Sequence, residues 1–161
     1  MTRIAAAALV LALVAACTAP PPAGPASFRS QSAPIASQTG VDWGRMAGDW
    51  TIVLAPPQAL FGTAGGRVSI ATGEVILPLR GAEFRSRAEV VGPGRLRLAA
   101  GDLDLWVLWV DADYRTAAVG SPDGRLGFVM DRTGDASSDR VAAARDILAW
   151  MGYDPERMTE G

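Results

Sequence analysis

The 161-residue chain carries 15 basic residues, all Arg, against 17 acidic ones, with one Cys and no His. Without His or a second Cys it has no ligand set for a thiolate- or imidazole-bound zinc, copper or haem, and no Ser-His-Asp or Cys-His nucleophilic centre. A net charge of −2, with Arg scattered along the chain, lacks the concentrated basic stripe of a nucleic-acid surface.

Residues 1–16 contain Arg3 and then an unbroken apolar run from Ile4 to Ala16. The run is too short to cross a hydrocarbon core of ~30 Å and suits the apolar part of a secretory signal peptide. It ends Leu13-Val14-Ala15-Ala16-Cys17, small residues leading into the chain's one Cys. This resembles the lipobox of bacterial lipoproteins, which implies cleavage before Cys17 and acylation of its thiol. Several acyl chains on Cys17 would hold a membrane firmly where a single chain is marginal. Thr18 stands where an Asp would resemble an inner-membrane retention signal, so the expected place is the outer membrane, lipid-anchored and facing the periplasm. The alternative is an ordinary secretory signal that leaves Cys17 as a free thiol. Export fits the lack of other thiols in an oxidising compartment.

From Cys17 to Gly40 the chain is rich in Pro, Ala, Ser and Gln and poor in large apolar residues. Such a composition buries too little surface to offset ordering entropy, so residues 17–40 are expected to be the lipidated Cys and a disordered, partly polyproline tether. Stretched out, it would span at most roughly 70–80 Å. The folded domain is expected over 41–161.

From Asp49 to Met130 apolar residues recur with period two, broken every few residues by Gly or Pro. Phe84, Ala88 and Val90 alternate with Glu83, Arg85, Arg87 and Glu89; Gly92-Pro93-Gly94 then turns the chain into Arg95-Leu96-Arg97-Leu98. Eight strands are expected, at 50–55, 66–71, 74–79, 83–91, 95–99, 102–110, 114–119 and 125–131. Short connections between neighbours mean an antiparallel meander, and eight such strands can close into an up-and-down barrel that leaves no exposed edge.

The strand at 102–110 is apolar on both faces. Leu103, Leu105, Val107 and Trp109 are expected inside, yet Trp106, Leu108 and Val110 occupy the other parity, so the outer face needs a cover. The chain supplies one over 139–151, with N-cap candidates at Asp135–Ser138. Val141, Ala144, Leu148 and Met151 form one stripe, Arg140 and Asp146 are expected opposite, and Gly152 acts as the stop. The expected fold is therefore all-β with one helix: an eight-stranded antiparallel up-and-down barrel with a C-terminal α-helix packed outside.

Gly48-Asp49-Trp50 at the first strand is similar to the G-x-W motif of lipocalins. Asp111-Ala112-Asp113-Tyr114 between two strands resembles their second motif, D-x-x-Y, and Arg132 after the last strand resembles the third, where an Arg lies across the first-strand Trp. Gly152-Tyr153-Asp154 resembles the ending of the bacterial outer-membrane lipoprotein lipocalins. The resemblance covers roughly residues 42–155. The chain departs from the pattern in the short interval from Trp50 to Asp111, in Val110 standing where Thr is usual before the motif Asp, and in lacking an apolar strand after the helix.

The resemblance implies a structural role for Gly48, Trp50, Asp111, Asp113, Tyr114 and Arg132. Trp50 and Arg132 are expected to form a closing cation–π pair. Asp111 and Asp113 are expected to cap a turn rather than to act as an acid–base pair, and a hard-cation site on Asp102, Asp104, Asp111 and Asp113 lacks calcium-loop spacing. Phe61 and the stretch to Gly66 correspond either to the loop that lids a lipocalin cup or to a plain surface loop. The expected inner lining is apolar and includes Ile52, Leu54, Val68, Ile70, Ser86, Ala88, Leu103 and Leu126. The ligand-binding candidates are Phe84, Leu96, Leu98, Leu105, Val107, Trp109 and Phe128. An eight-stranded barrel has room for side chains or one small ligand.

The family implies a small hydrophobic ligand, a fatty acid such as palmitate or a lysophospholipid. No cofactor, metal or nucleic acid is expected, and the expected state is a monomer or weak dimer that is not an enzyme. A different class remains open: a packed barrel acting through a protein partner. Ala47-Gly48-Asp49-Trp50 also resembles the A-G-x-W opening of bacterial metalloprotease inhibitors, though those typically carry a disulfide that this chain lacks.

Overall fold

A computed structural model describes residues 27–161; the expected signal, Cys17 and the first part of the tether lie outside the described residues. A short helix, α1 (Trp43–Met46), leads into eight strands: β1 (Gly48–Ala55), β2 (Arg67–Ala71), β3 (Glu74–Leu79), β4 (Ala82–Gly92), β5 (Arg95–Leu98), β6 (Leu103–Val110), β7 (Thr116–Gly120) and β8 (Gly127–Asp131). Helix α2 (Ser138–Trp150), a 3-10 turn at Pro155–Arg157 and a two-residue strand β9 (Thr159–Glu160) complete the chain. Each strand pairs antiparallel with its sequence neighbour, β8 returns to β1, and β1 pairs β2, so the sheet closes as an eight-stranded barrel. β9 adds to β1 at Leu54 and Ala55.

The alternating pattern places one apolar set inside the barrel and the helix stripe creates a second layer outside it. Trp50, Ile52, Val68, Leu77, Leu98, Leu105 and Phe128 belong to the inner cluster. Val53, Leu54, Leu108, Ala118 and Val129 lie on the outer face and pack with Ala144 and Leu148 of α2. The strand apolar on both faces is thus covered as its sequence requires. Gly152, at φ +87°, follows the helix where a left-handed residue is needed.

Among the described residues the sheet has three register shifts, one at the end of β4 between Val90 and Gly92 and two that reset which side chains face inward. β6 shifts register between Val107 and Trp109, and β1 shifts between Ile52 and Leu54. A bulge inserts one residue and turns every later side chain to the other face. Trp109, expected inside, therefore lies on the outer face and Val110 points in; Leu54, also expected inside, joins the layer under α2. Arg140, expected to face solvent opposite the helix stripe, reaches back to the barrel. Its Nε donates to Thr116 Oγ1 at 2.7 Å and its Nη2 lies 3.4 Å from the buried Asp131 carboxylate.

Residues 27–40, assigned by composition to the tether, are packed along the barrel as a strap. Arg29 is buried and donates to the carbonyls of Met151, Pro122 and Ala33, while Phe28 and Ile35 join the outer apolar layer. Gln38 completes the β6 bulge: its N–H donates to Val107 O at 2.8 Å and its Oε1 accepts from Val110 N at 2.8 Å. A few anchors in a polar segment suffice because they satisfy groups the sheet leaves open.

Candidate functional site: barrel interior, lid and closed end

The closed end is built around Trp50. Its ring is buried, its Nε1 donates to Met46 O at 2.9 Å, and the Arg132 guanidinium lies 3.8 Å from the ring centroid. Arg132 also donates to Asp49 O, Arg45 O and Tyr114 O, so one side chain fastens the start of β1, α1 and the β6–β7 turn. Burial holds its pKa below the usual guanidinium value, with the Asp49 charge opposing. Gly48 has φ +106°, and a Cβ there would sit 3.0 Å from Arg132 Nη1, so the motif glycine has a steric as well as a backbone reason.

Asp111 is a turn cap. Its Oδ1 accepts from Arg115 N and Thr116 N at 2.7 and 2.6 Å, and its Oδ2 accepts from Asp113 N at 3.3 Å. Tyr114 takes the left-handed conformation at φ +58°, accepts from Asp42 N through its hydroxyl at 2.8 Å, and lies beneath Arg45 at 4.1 Å. Asp113 is exposed and, among the described residues, pairs only with Arg115, at 3.2 Å. Asp102 and Asp104, at the opposite end of β6 from Asp111, bind Arg97. Among the described residues no cluster of three or more His, Cys, Asp or Glu could hold a metal ion.

The other end of the barrel is the mouth, where β1 ends and the β3–β4, β5–β6 and β7–β8 turns lie. The β1–β2 loop, residues 56–66, folds over it. Phe61 forms a bridge with Leu79, Gly62 N donates to Pro78 O at 2.9 Å and Arg80 N to Leu60 O at 3.3 Å. The Phe61 ring meets Phe84 edge-on at 4.9 Å, and Gly62, at φ +75°, lies so close to Phe128 that a Cβ would fall 2.5 Å from its ring. The lid reading of this loop, rather than the plain surface loop, is the one its geometry fits.

Below the lid the wall is apolar. Phe84, Leu96, Leu98, Leu105, Val107 and Phe128 face inward, joined by Val75, Leu77, Val119 and Met130. Trp109 does not line this space; the β6 bulge puts it outside. Val75 and Leu77 were legible as the alternating pair within Glu74–Leu79, and Phe61 as part of the loop expected to be a lid or a plain surface loop. Ser86 is the one buried polar residue on the inner face of β4; its hydroxyl donates to Arg87 O and accepts from Ala100 N. The deepest wall residues have no accessible surface, so the side chains meet across the interior. Larger open spaces lie outside the barrel, a groove of about 500 Å³ between the strap, Pro56–Gln58 and Met158 and one of about 380 Å³ beside Val141 and Arg145 of α2, while a hollow of about 160 Å³ at the closed end, beside Trp43, is lined by inward-facing Ile70, Ala88 and Leu96.

These features can be set beside known proteins. Residues 92–160 match the family model described as a lipocalin-like domain. The fold resembles a major allergen of cockroaches, Per a 4, with a TM-score of 0.56 at 12% identity over 81% of this chain and 94% of that one. It also resembles the siderocalin Ex-FABP, with a TM-score of 0.50 at 20% identity over 71% of this chain and 91% of that one. The chain has the lipocalin fold, and its C-terminal part carries the sequence signature of a lipocalin-like domain. No curated protein sequence matches it significantly. In this lipocalin-like barrel, the three sequence motifs meet at the closed end and leave the mouth to loop 56–66.

Proposed function

We propose that this protein is a lipocalin of the cell envelope, a lipoprotein anchored through Cys17 at the outer membrane, that binds a small hydrophobic ligand in its barrel. A fatty acid or lysophospholipid is the ligand class that suits the wall. The observation that carries the reading is an apolar interior with no inward charge, covered at one end by a loop held on a few backbone hydrogen bonds. Because the wall residues meet, an acyl chain is admitted only as loop 56–66 lifts and Phe61, Phe84 and Phe128 part. Burying ten to fifteen methylenes contributes on the order of 8–12 kcal/mol gross at ~0.8 each; association costs reduce this to micromolar binding. That strength suits transient carriage. Ex-FABP is described as functioning through dual ligand specificities, which supports binding as the role of such a barrel. Turnover is disfavoured because both oxygens of Asp111 are spent on backbone N–H groups.

A second reading, a packed barrel working through a protein partner, is favoured by the fully buried side chains at the barrel centre. Native mass spectrometry of residues 18–161, prepared without detergent and followed by solvent extraction, separates the two. A stoichiometric lipid adduct supports the carrier. A clean apo mass that persists after incubation with fatty acids and lysolipids overturns it and leaves the packed barrel.

A further inference from the structure

The strap that composition placed in the tether fixes where the anchor leaves the domain. Phe28 N donates to Gly124 O in the β7–β8 turn, which is at the mouth, and the strap then runs down the barrel to Ser37 and Gln38 near the closed end. The described chain therefore begins beside the lid, not beside the Trp50 end. Ten residue steps separate Ser27 from Cys17, a reach of at most roughly 35 Å. A barrel wall of eight-residue strands is itself about 26 Å tall. The strand tilt of a barrel shortens that wall to about 20 Å, so turning the closed end toward the bilayer would use more than half of the linker's reach in running back along the wall. The mouth needs no such stretch.

The mouth also carries the fitting side chains. Leu60, at the tip of the lid, is 57% exposed, and Trp150, at the mouth end of α2, is 72% exposed. The closed end exposes Val90 and Val91 beside the β4–β5 turn, but no exposed aromatic among the described residues, and its turn 111–115 carries Asp113 and Arg115. An exposed Trp with an aliphatic neighbour suits the boundary between headgroups and acyl chains, where the indole is partly apolar and its N–H stays wet.

We infer that the mouth face, with Leu60 and Trp150 as contacts, rests on the surface of the lipid bilayer that holds the anchor, so that the lid opens toward lipid. The inference rests on the lipidation of Cys17 proposed above. It makes the membrane both the surface contacted and the source of ligand: a chain leaving the bilayer passes under loop 56–66 without crossing water.

The test uses full-length protein processed in a bacterial host and reconstituted in phosphatidylethanolamine–phosphatidylglycerol vesicles. Cys17 is consumed by acylation, so a Cys placed at Leu60 or at Ala112 is the one free thiol for a fluorescent label. Nitroxide-bearing lipids should quench the label of Leu60→Cys strongly and that of Ala112→Cys weakly. The reverse order, or equal quenching at both positions, overturns the orientation while the anchor stands. Vesicle flotation of the wild type against Cys17→Ser reads the anchor separately: equal behaviour of the two overturns the lipidation reading and the orientation with it. Replacing both Leu60 and Trp150 with Ser in the Ala112→Cys background should raise quenching at Ala112 as the domain loses its preferred tilt, and an unchanged signal counts against those two contacts.

Discussion

The two ends of the barrel are closed by different physics. At the Trp50 end one guanidinium stacks on a buried indole and donates to three carbonyls far away in sequence, and a carboxylate caps the adjacent turn through local backbone N–H groups. At the mouth a loop is held by three hydrogen bonds to the end of β3 and the β3–β4 turn, an aromatic edge contact and a glycine resting on a ring. Charge-assisted, multiply bonded contacts are costly to open, whereas a loop resting on apolar contacts opens at small cost. A carrier needs this asymmetry, with one end that never opens and one that does.

The comparison can be broken most forcefully at Trp50. Trp50→Ala leaves a large hole and strands Arg132, and should cost about 3–5 kcal/mol in urea unfolding. Arg132→Met keeps much of the stem but removes the cation–π contact and the carbonyl bonds, for an expected loss of about 2–3 kcal/mol. A loss below ~0.5 kcal/mol for Arg132→Met would mean that the closed end is held by burial alone. Neither substitution touches the lid, so ligand affinity per folded molecule should change little.

Tyr153 locks the mouth end of α2 against β7 and β8. Its hydroxyl accepts from Ser121 N at 3.0 Å and donates to Leu126 O at 2.5 Å, while its ring lies against Gly120 and Gly127. Burial pushes this hydroxyl up to about 12, with the Ser121 amide and Arg29 opposing. The neutral form is therefore favoured in the folded state. Its stabilisation is complete below the ordinary tyrosine value near 10 and is lost as pH rises through the folded value, an expected fall of about 2–3 kcal/mol between roughly pH 10 and 12. Tyr153→Phe should cost about 1–2 kcal/mol at neutral pH and flatten that alkaline fall. An unaltered slope in the variant would assign the alkaline loss to another group.

What the sequence revealed follows the same division. The strands were legible because a half-buried sheet demands alternation, and the closed end because Gly48, Trp50, Asp111, Tyr114 and Arg132 carry chemistry that ordinary core residues do not. The outer position of Trp109 was hidden because a bulge inserts a residue without any compositional mark, and Trp109 is as apolar as the Val110 that replaces it inside. The strap was hidden because its anchoring depends on Arg29 and Gln38 finding open carbonyls and amides elsewhere, while its Pro, Ala and Ser content matches that of a spacer. The lid was only half legible: Phe61 marked the loop, but its contact with Phe84 depends on tertiary approach.

The smallest expected effect sharpens the comparison most, because the same substitution can be made at both ends. Gly48 and Gly62 both have positive φ, and in both a new Cβ meets a neighbour: Arg132 Nη1 at 3.0 Å and the Phe128 ring at 2.5 Å. Contact distance alone would make Gly62→Ala the worse change. The physics of the two ends predicts the opposite. Arg132 is fixed by its stack and its three carbonyls, so Gly48→Ala must disturb that set and should cost about 2 kcal/mol. Loop 56–66 can lift off Phe128, so Gly62→Ala should cost only about 1 kcal/mol, the conformational penalty of a side chain at positive φ. The strain should appear instead as faster amide exchange at Gly62 and Arg80, whose N–H groups hold the lid, and as faster fatty-acid uptake. Equal stability losses at the two glycines, with exchange at Gly62 and Arg80 unchanged, would show that the mouth is as rigidly closed as the Trp50 end and would favour the packed barrel over the carrier.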